Sequence, residues 1–130
     1  MAGISFSVFK DKILSGAKRQ TIRTIRKNPI KEGETLYMWW KQRSPEREKL
    51  GETNCIKISH VEIHNDCYLI DQDVPTKGCG QVICDSTKMH ELAIADGFDN
   101  WQQLIEFFEN THSLPFEGVL IEWDSIKSPF

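Results

Sequence analysis

The feature that most constrains this chain is a series of short segments in which apolar and polar residues alternate. A period of two residues is typical of strands with one buried face, whereas a helix repeats about every 3.6 residues. We therefore predict a small sheet as the framework of the fold. Its predicted strands are residues 4–8, 20–25, 35–40, 55–63, 68–70 and 118–123.

A short helix is predicted between the first two strands, at residues 9–15. It ends at Gly16, because glycine readily takes the left-handed conformation that ends many helices. The polar stretches 42–51 and 71–80 are predicted to be loops.

Two further helices are predicted before the last strand. One begins at Asp85 or Ser86 and ends at Gly97, and the other begins with a capping box formed by Asp99 and Gln102. Each helix carries an apolar face at helical spacing. These faces are Met89, Leu92 and Ala93 in the first helix, and Trp101, Leu104, Ile105 and Phe108 in the second.

The length and composition predict one domain spanning residues 1–130. Hydrophobic residues make up 39% and charged residues 27%, and four Trp, two Tyr and seven Phe exclude a disordered chain. Five or six strands with three short helices favour the α+β class, built on a small, barrel-like mixed sheet. The sequence has no long apolar run and no visible secretory leader, so we expect a cytoplasmic protein without membrane partners.

The formal net charge of −3 conceals an uneven distribution. Residues 1–50 hold 12 Lys and Arg against 5 Asp and Glu, whereas residues 51–130 hold 4 against 14. Eight of the basic residues lie between Lys10 and Lys31. A basic segment in an acidic protein indicates a local anionic partner. The alternative is that the two halves pack together and neutralise each other.

The densest part of the basic segment is Gly16-Ala-Lys-Arg-Gln-Thr-Ile-Arg23, where the first helix meets the second strand. Its donors, Lys18, Arg19, Thr21 and Arg23, suit a phosphate or a polarised carbonyl group. In an extended strand Arg19, Thr21 and Arg23 share one face, and Lys18 meets Thr21 only if the chain turns near residues 18–20. The alternative is a solvent-exposed strand edge, where Lys and Arg oppose aggregation.

This motif resembles the signature of the ASCH domain, a family of the PUA-like superfamily. The matching residues are Ile13-Leu14, Gly16, Lys18 and Gln20-Thr-Ile-Arg23. Weaker elements follow in the expected order and extend the resemblance over most of the chain. They are Gly33-Glu-Thr-Leu36, Ala95-Asp-Gly-Phe98 with Trp101 and Leu104, and residues 116–123. The resemblance implies a PUA-like mixed β-barrel with flanking helices and a cleft that receives nucleic acid or a nucleobase.

One branch of the ASCH family that this chain resembles hydrolyses the amide of N4-acetylcytidine with a Lys, a Thr and an acidic residue. Lys18 and Thr21 match the first two positions. Asp96 is the match for the acidic residue, although that branch has Glu there, and Glu91 is the alternative. The implied catalytic residues are therefore Lys18, Thr21 and Asp96, with Arg23 available to stabilise an oxyanion.

The implied chemistry is consistent with these residue types. A Thr hydroxyl is a weak nucleophile until a base removes its proton, and a Lys with a lowered pKa can be that base. Desolvation, Arg19 and Arg23 are the expected causes of a lowered pKa for Lys18. The competing hypothesis is that Lys18 and Arg23 bind phosphate, so that the protein binds RNA without catalysis.

An aromatic segment, Tyr37 to Trp40, precedes further basic residues. A base can stack on an indole ring while cations contact the backbone, which suggests Trp39, Lys41 and Arg43 as nucleic-acid-binding residues. The alternative is that one Trp lies in the core and the other covers the rim of the sheet.

No cofactor or metal is predicted. The cysteines and histidines do not show the two tight pairs of a structural zinc site, and Cys79 and Cys84 form the one close pair. We expect reduced, unpaired cysteines.

The predicted function is binding of RNA or a modified nucleobase, and the resemblance implies amide hydrolysis as an activity of the same site. The alternatives are a ribonuclease acting on single-stranded RNA and a regulatory module that binds a protein partner.

Overall fold

The computed structural model describes residues 2–6, 8–24, 30–41, 44–71 and 81–124. These residues form seven strands and three helices, which confirms the predicted α+β class. The elements are β1 (Ala2–Phe6), α1 (Lys10–Ser15), β2 (Gln20–Arg23), β3 (Thr35–Trp40), β4 (Glu48–Ile63), β5 (Tyr68–Asp71), β6 (Gln81–Ile83), α2 (Ser86–Ala95), α3 (Trp101–Thr111) and β7 (Phe116–Trp123).

The long strand β4 organises the sheet. Its first half pairs antiparallel with β3, and its second half pairs with β5 on one side and β7 on the other. Strand β1 adds to β3 in parallel, β2 adds to β7, and β6 adds to β5. Among the described strands, β1, β2 and β6 each have one partner, so the sheet they form is open rather than a closed barrel.

Two apolar clusters lie on the sheet. One joins the sheet to α2 and α3, and it contains the predicted helix faces: Met89, Leu92, Ala93, Leu104, Ile105 and Phe108. The other includes Ile4 and Phe6 of β1, Met38 of β3 and Trp123 of β7. Alternation places these side chains inside, because successive residues of a strand point to opposite faces.

Two strand predictions need correction. The predicted loop 42–51 is wrong at its end, because β4 begins at Glu48. That end is polar because its outer face is exposed, with Lys49 Nζ 2.8 Å from Glu52 Oε1, while Leu50 is buried. Strand β6 was not predicted, since three residues are too few to show a period. Residues 7 and 25 of the predicted strands, and residues 42–43 and 72–80 of the predicted loops, lie outside the described residues.

The helix ends follow the predicted capping chemistry with one shift. Asp85 caps α2, accepting a hydrogen bond from the Thr87 N–H at 2.8 Å. For α3 the predicted cap is wrong by one residue, because Asn100 accepts from the Gln103 N–H at 2.9 Å. An amide oxygen caps as well as a carboxylate, so the local chemistry is similar at either position.

Candidate functional site: a buried lysine and aspartate in an aromatic cleft

A cleft of about 240 Å³ lies where the connection from β1 to α1, strand β2 and the turn from α2 to α3 meet. Its polar lining includes Lys18, Thr21, Arg23 and Asp96. Its apolar lining includes the rings of Phe6, Phe9, Phe98, Phe107 and Phe108. The structure therefore places all three predicted catalytic residues in one cleft.

A turn after α1 brings Lys18 to the same cleft as Thr21. The helix ends at Gly16, which has a φ of 85°, and the Lys18 N–H donates to the Lys12 carbonyl at 2.9 Å. The register of β2 with β7 begins at Gln20. The alternation of side chains along β2 therefore does not decide the direction of the Lys18 side chain. The sequence required a turn near residues 18–20, and the structure has one at residues 16–18, directly before that stretch.

Asp96 reaches the cleft as the C-cap residue of α2. The next residue, Gly97, has a φ of 107°, a left-handed conformation that favours glycine. A Cβ atom at Gly97 would lie 2.9 Å from Phe9 Cδ2 and 3.2 Å from Lys18 Cδ. Glycine therefore permits the close approach of this turn to Lys18.

Lys18 and Asp96 form a buried ion pair. Their side chains lie at 3.4 Å between Nζ and Oδ1, and the residues are 3% and 4% exposed. Lys18 Nζ also donates a hydrogen bond to the backbone oxygen of Asp96. Glu91, the alternative partner, is exposed on α2. Burial of the Tyr68 hydroxyl raises the pKa of that group, and the nearby charge of Glu91 raises it further. The geometry thus assigns Asp96 to Lys18.

Burial shifts the pKa values of Lys18 and Asp96 in the directions that favour the neutral form of each group. Desolvation lowers the pKa of Lys18, and the charges of Arg23 and Lys12 lower it further, while attraction to Asp96 opposes this shift. Desolvation raises the pKa of Asp96 to about 6, against the attraction of Lys18 and Arg23. A lysine with a lowered pKa that lines the same cleft as a hydroxyl group has the properties of a general base.

Arg23 holds the hydroxyl of Thr21. The Arg23 Nε–H donates to Thr21 Oγ1 at 3.1 Å, and another guanidinium nitrogen donates to the Ser5 carbonyl at 2.8 Å. Because the hydroxyl oxygen accepts from a cation, its own proton is left to be donated elsewhere. Thr21 is only 5% exposed, so this arrangement operates in a desolvated environment.

Phenylalanine rings surround the polar groups. Phe9 has a φ of 66°, uncommon for a bulky residue, and its ring meets that of Phe98 edge to face at 5.0 Å. Lys18 Nζ lies 5.5 Å from the centre of the Phe9 ring, and Arg23 lies 4.8 Å from that of Phe6. The sequence prediction missed these rings. The sequence feature that could have identified these rings is their position. Phe6 and Phe9 precede the basic motif 16–23, and Phe98 closely follows Asp96.

The predicted binding residue Arg19 does not line this cleft. It is exposed and lines a separate depression with Gln20 and Glu122. The prediction that Arg19 shares the face of Thr21 and Arg23 assumed a strand that includes residue 19, but β2 begins at Gln20, and Arg19 lies beside Gln20 in the separate depression.

The aromatic segment of β3 also lies apart from the cleft lining. Trp39 pairs with Ser5 and Lys49 in the sheet, and Trp40 packs against the second apolar cluster. Lys41 Nζ lies 3.0 Å from Glu46 Oε2. The structure therefore does not bring Trp39 or Lys41 to Lys18, and Arg43 lies outside the described residues.

The basic segment is divided between surface pairing and the cleft. Lys10 pairs with Glu48 at 2.7 Å, and Lys12 lies 3.6 Å from Asp99. Lys12 Nζ also donates to the Gly97 carbonyl at 2.5 Å, next to the carbonyl held by Lys18. Lys12 and Lys18 are therefore paired with acidic residues of the second half of the chain. Their hydrogen bonds to backbone carbonyls at residues 96 and 97 also fix the turn after α2.

In the described ranges, no three His, Cys, Asp or Glu side chains are grouped so that they could hold a metal ion. Cys79 lies outside these ranges. None of the described helices is long and apolar enough to cross a membrane.

Comparison with known proteins found no matching family model, no matching curated protein and no matching solved structure.

Proposed function

We propose that the cleft binds a modified nucleobase and hydrolyses an amide on its exocyclic nitrogen, in a domain of the ASCH type. The single observation that carries this proposal is the buried Lys18, with its lowered pKa, in contact with Asp96 and in one cleft with the Thr21 hydroxyl. Aromatic walls suit a planar base, and a polar floor suits the hydrogen-bonding groups at its edge.

The architecture is compatible with this proposal. Strand β4 belongs to three ladders, with β3 along its first half and with β5 and β7 along its second half, and this change of partners along one long strand is compatible with a curved sheet. We propose that this curved sheet with its flanking helices is a PUA-like fold, and the cleft lies between sheet and helices as that assignment requires.

In the proposed reaction, Thr21 Oγ attacks the amide carbonyl carbon while Lys18 Nζ removes the hydroxyl proton. The Arg23 guanidinium stabilises the negative charge that develops on the carbonyl oxygen. When the intermediate collapses, the C–N bond breaks and Lys18 returns the proton to the leaving amine. Lys18 Nζ then removes a proton from a water molecule that attacks the acyl-Thr21 ester, the ester C–O bond breaks, Lys18 returns the proton to Thr21 Oγ, and the acid is released. Asp96 positions Lys18 throughout.

The small size of the cleft supports a nucleobase rather than a broad strand-binding surface as the ligand. Nucleic-acid-coating surfaces depend on exposed cations along a groove. Here Lys18 is 3% exposed, so it suits one buried contact. A net charge of −3 also favours a localised site.

The decisive experiment incubates the protein with N4-acetylcytidine and follows cytidine and acetate by chromatography. We expect turnover by the wild type, loss of turnover in Lys18→Met and Thr21→Val, and substantial activity in Thr21→Ser, which keeps the hydroxyl. Arg19→Ala is the matched control, because Arg19 belongs to the same motif but does not line the cleft.

One outcome would contradict the proposed mechanism, and two would contradict the proposed reaction. Turnover that survives in Thr21→Val would exclude Thr21 as the nucleophile. Shortening of labelled single-stranded RNA without formation of cytidine would favour a ribonuclease. Salt-sensitive RNA binding without any reaction would favour a binding module.

A further inference from the structure

Two cysteines lie opposite each other at the end of the β5–β6 ladder, away from the cleft. The ladder pairs Tyr68 with Ile83. The same register places Cys67 opposite Cys84, one residue beyond the last pair. Residues directly opposite in an antiparallel ladder have Cα atoms about 4.5–5.5 Å apart, and disulfides span about 4.4–6.8 Å. The backbone spacing of this position therefore suits a disulfide.

The two side chains share the outer face of the sheet. Tyr68 and Ile83 are buried in the core, so the neighbouring residues point the other way, as does Val82, which is 57% exposed. Cys84 is exposed and Cys67 is partly buried, and both are free thiols. Desolvation and contact with the Cys84 side chain raise the pKa of Cys67. The thiols are therefore close to each other and open to small reagents.

The segment that carries Cys67 is held in place. The His64 N–H donates to the Cys67 carbonyl at 2.9 Å, closing the turn between β4 and β5. The Trp101 indole N–H donates to the Asn65 carbonyl at 3.0 Å, tying this turn to α3. On the other side, Cys84 directly precedes Asp85, the cap of α2. A bond between the two sulfur atoms would fasten the start of α2 to the turn.

We propose that Cys67 and Cys84 form a reversible disulfide by exchange with a low-molecular-weight disulfide such as glutathione disulfide. The exposed Cys84 thiolate attacks one sulfur of glutathione disulfide, breaking its S–S bond and releasing one glutathione thiolate. The Cys67 thiolate then attacks the sulfur of Cys84, forming the intramolecular S–S bond and releasing the second glutathione. The two cysteines are oxidised, glutathione disulfide is reduced to two thiols, and the two cysteine protons pass to solvent or glutathione.

The test incubates the folded, full-length chain with glutathione disulfide, alkylates the remaining thiols and maps peptides by mass spectrometry without reduction. We expect a Cys67–Cys84 linked peptide that dithiothreitol removes. Cys55 is expected to stay a thiol, because burial raises its pKa to about 11. The Cys79→Ser variant is expected to form the same link, which separates the proposed pair from the remaining cysteine.

The Cys67→Ser variant distinguishes the two steps, since Cys84 should then retain one glutathione. Three results for the wild type would overturn the proposal: a lasting glutathione adduct on Cys84 beside a free Cys67, a predominant link through Cys79, or both thiols fully alkylated. Hydrogen exchange on the oxidised protein should show slower exchange at the start of α2. None of these measurements depends on the proposed hydrolysis.

Discussion

Replacing Asp96 with Asn is expected to change how the stability of the protein depends on pH. Asp96 is fully buried, and its pKa is raised from 3.8 to about 6. This difference corresponds to roughly 3 kcal/mol, at about 1.4 kcal/mol for each tenfold change in proton affinity. This free energy is the amount by which desolvation of the Asp96 carboxylate exceeds its attraction to Lys18, whose Nζ lies 3.4 Å from Oδ1.

The sign follows from which state binds the proton more tightly. The folded protein holds the Asp96 proton up to about pH 6, whereas the unfolded chain releases it near 3.8. The stabilisation is therefore full below the unfolded pKa and is lost as the pH rises through the folded pKa. The Asn variant lacks this dependence. Removal of the carboxylate also lowers the pKa of Lys18 further in the variant. For this reason too, the unfolding free energy of wild type minus variant falls as the pH rises.

The assay is urea unfolding, followed by tryptophan fluorescence, at intervals between about pH 4 and pH 7. The free energy of unfolding of wild type minus variant should fall by roughly 2.5 kcal/mol over this range, since the unfolded pKa of 3.8 lies just below its lower end. Glu91→Gln is the control, because Glu91 is an exposed carboxylate on the same helix, and its difference should stay nearly constant. A flat difference for Asp96→Asn would refute the assignment of a buried carboxyl group with a raised pKa.

Three further variants test the walls and supports of the cleft. Gly97→Ala is expected to lower the unfolding free energy by about 1–3 kcal/mol in thermal or urea melts, because a Cβ would lie 2.9 Å from the Phe9 ring at a φ of 107°; an unchanged melt would contradict this. Lys12→Met should raise the pKa of Lys18, measured by NMR titration of its side chain, because a repelling charge is removed; Lys12→Arg should leave it close to the wild-type value. Phe9→Ala should weaken nucleoside binding roughly tenfold in calorimetry, whereas Trp39→Ala should leave it unchanged; the reverse order would show that the base stacks on β3.

Local patterns allowed much of the secondary structure to be predicted. Alternation in β3 and β7 and the helical spacing of Leu104 and Phe108 express which face is buried, and each element carries this information in its own residues. Strand β6, with three residues, and the polar start of β4 carry too little of this pattern. Their pairing is decided by the neighbouring strands.

The candidate site was predictable where the residues form a short motif. Lys18, Thr21 and Asp96 were all identified from the sequence, and the structure places them in one cleft. Arg19 was assigned to the face of Thr21 and Arg23, but it precedes β2, which begins at Gln20, and it lines a separate depression.

The sequence by itself determined the three helices, most of the strand segments, the uneven charge and the residue types available for chemistry. Only the tertiary structure decided that phenylalanines rather than Trp39 surround the site, and that Asp96 rather than Glu91 meets Lys18. The reason is the range of the interactions. Caps and alternation depend on residues a few positions apart, whereas Lys18 and Asp96 are separated by 78 positions along the chain. Their desolvation, and so the shift of their pKa values, exists only once the turn after α2 lies against the connection between α1 and β2.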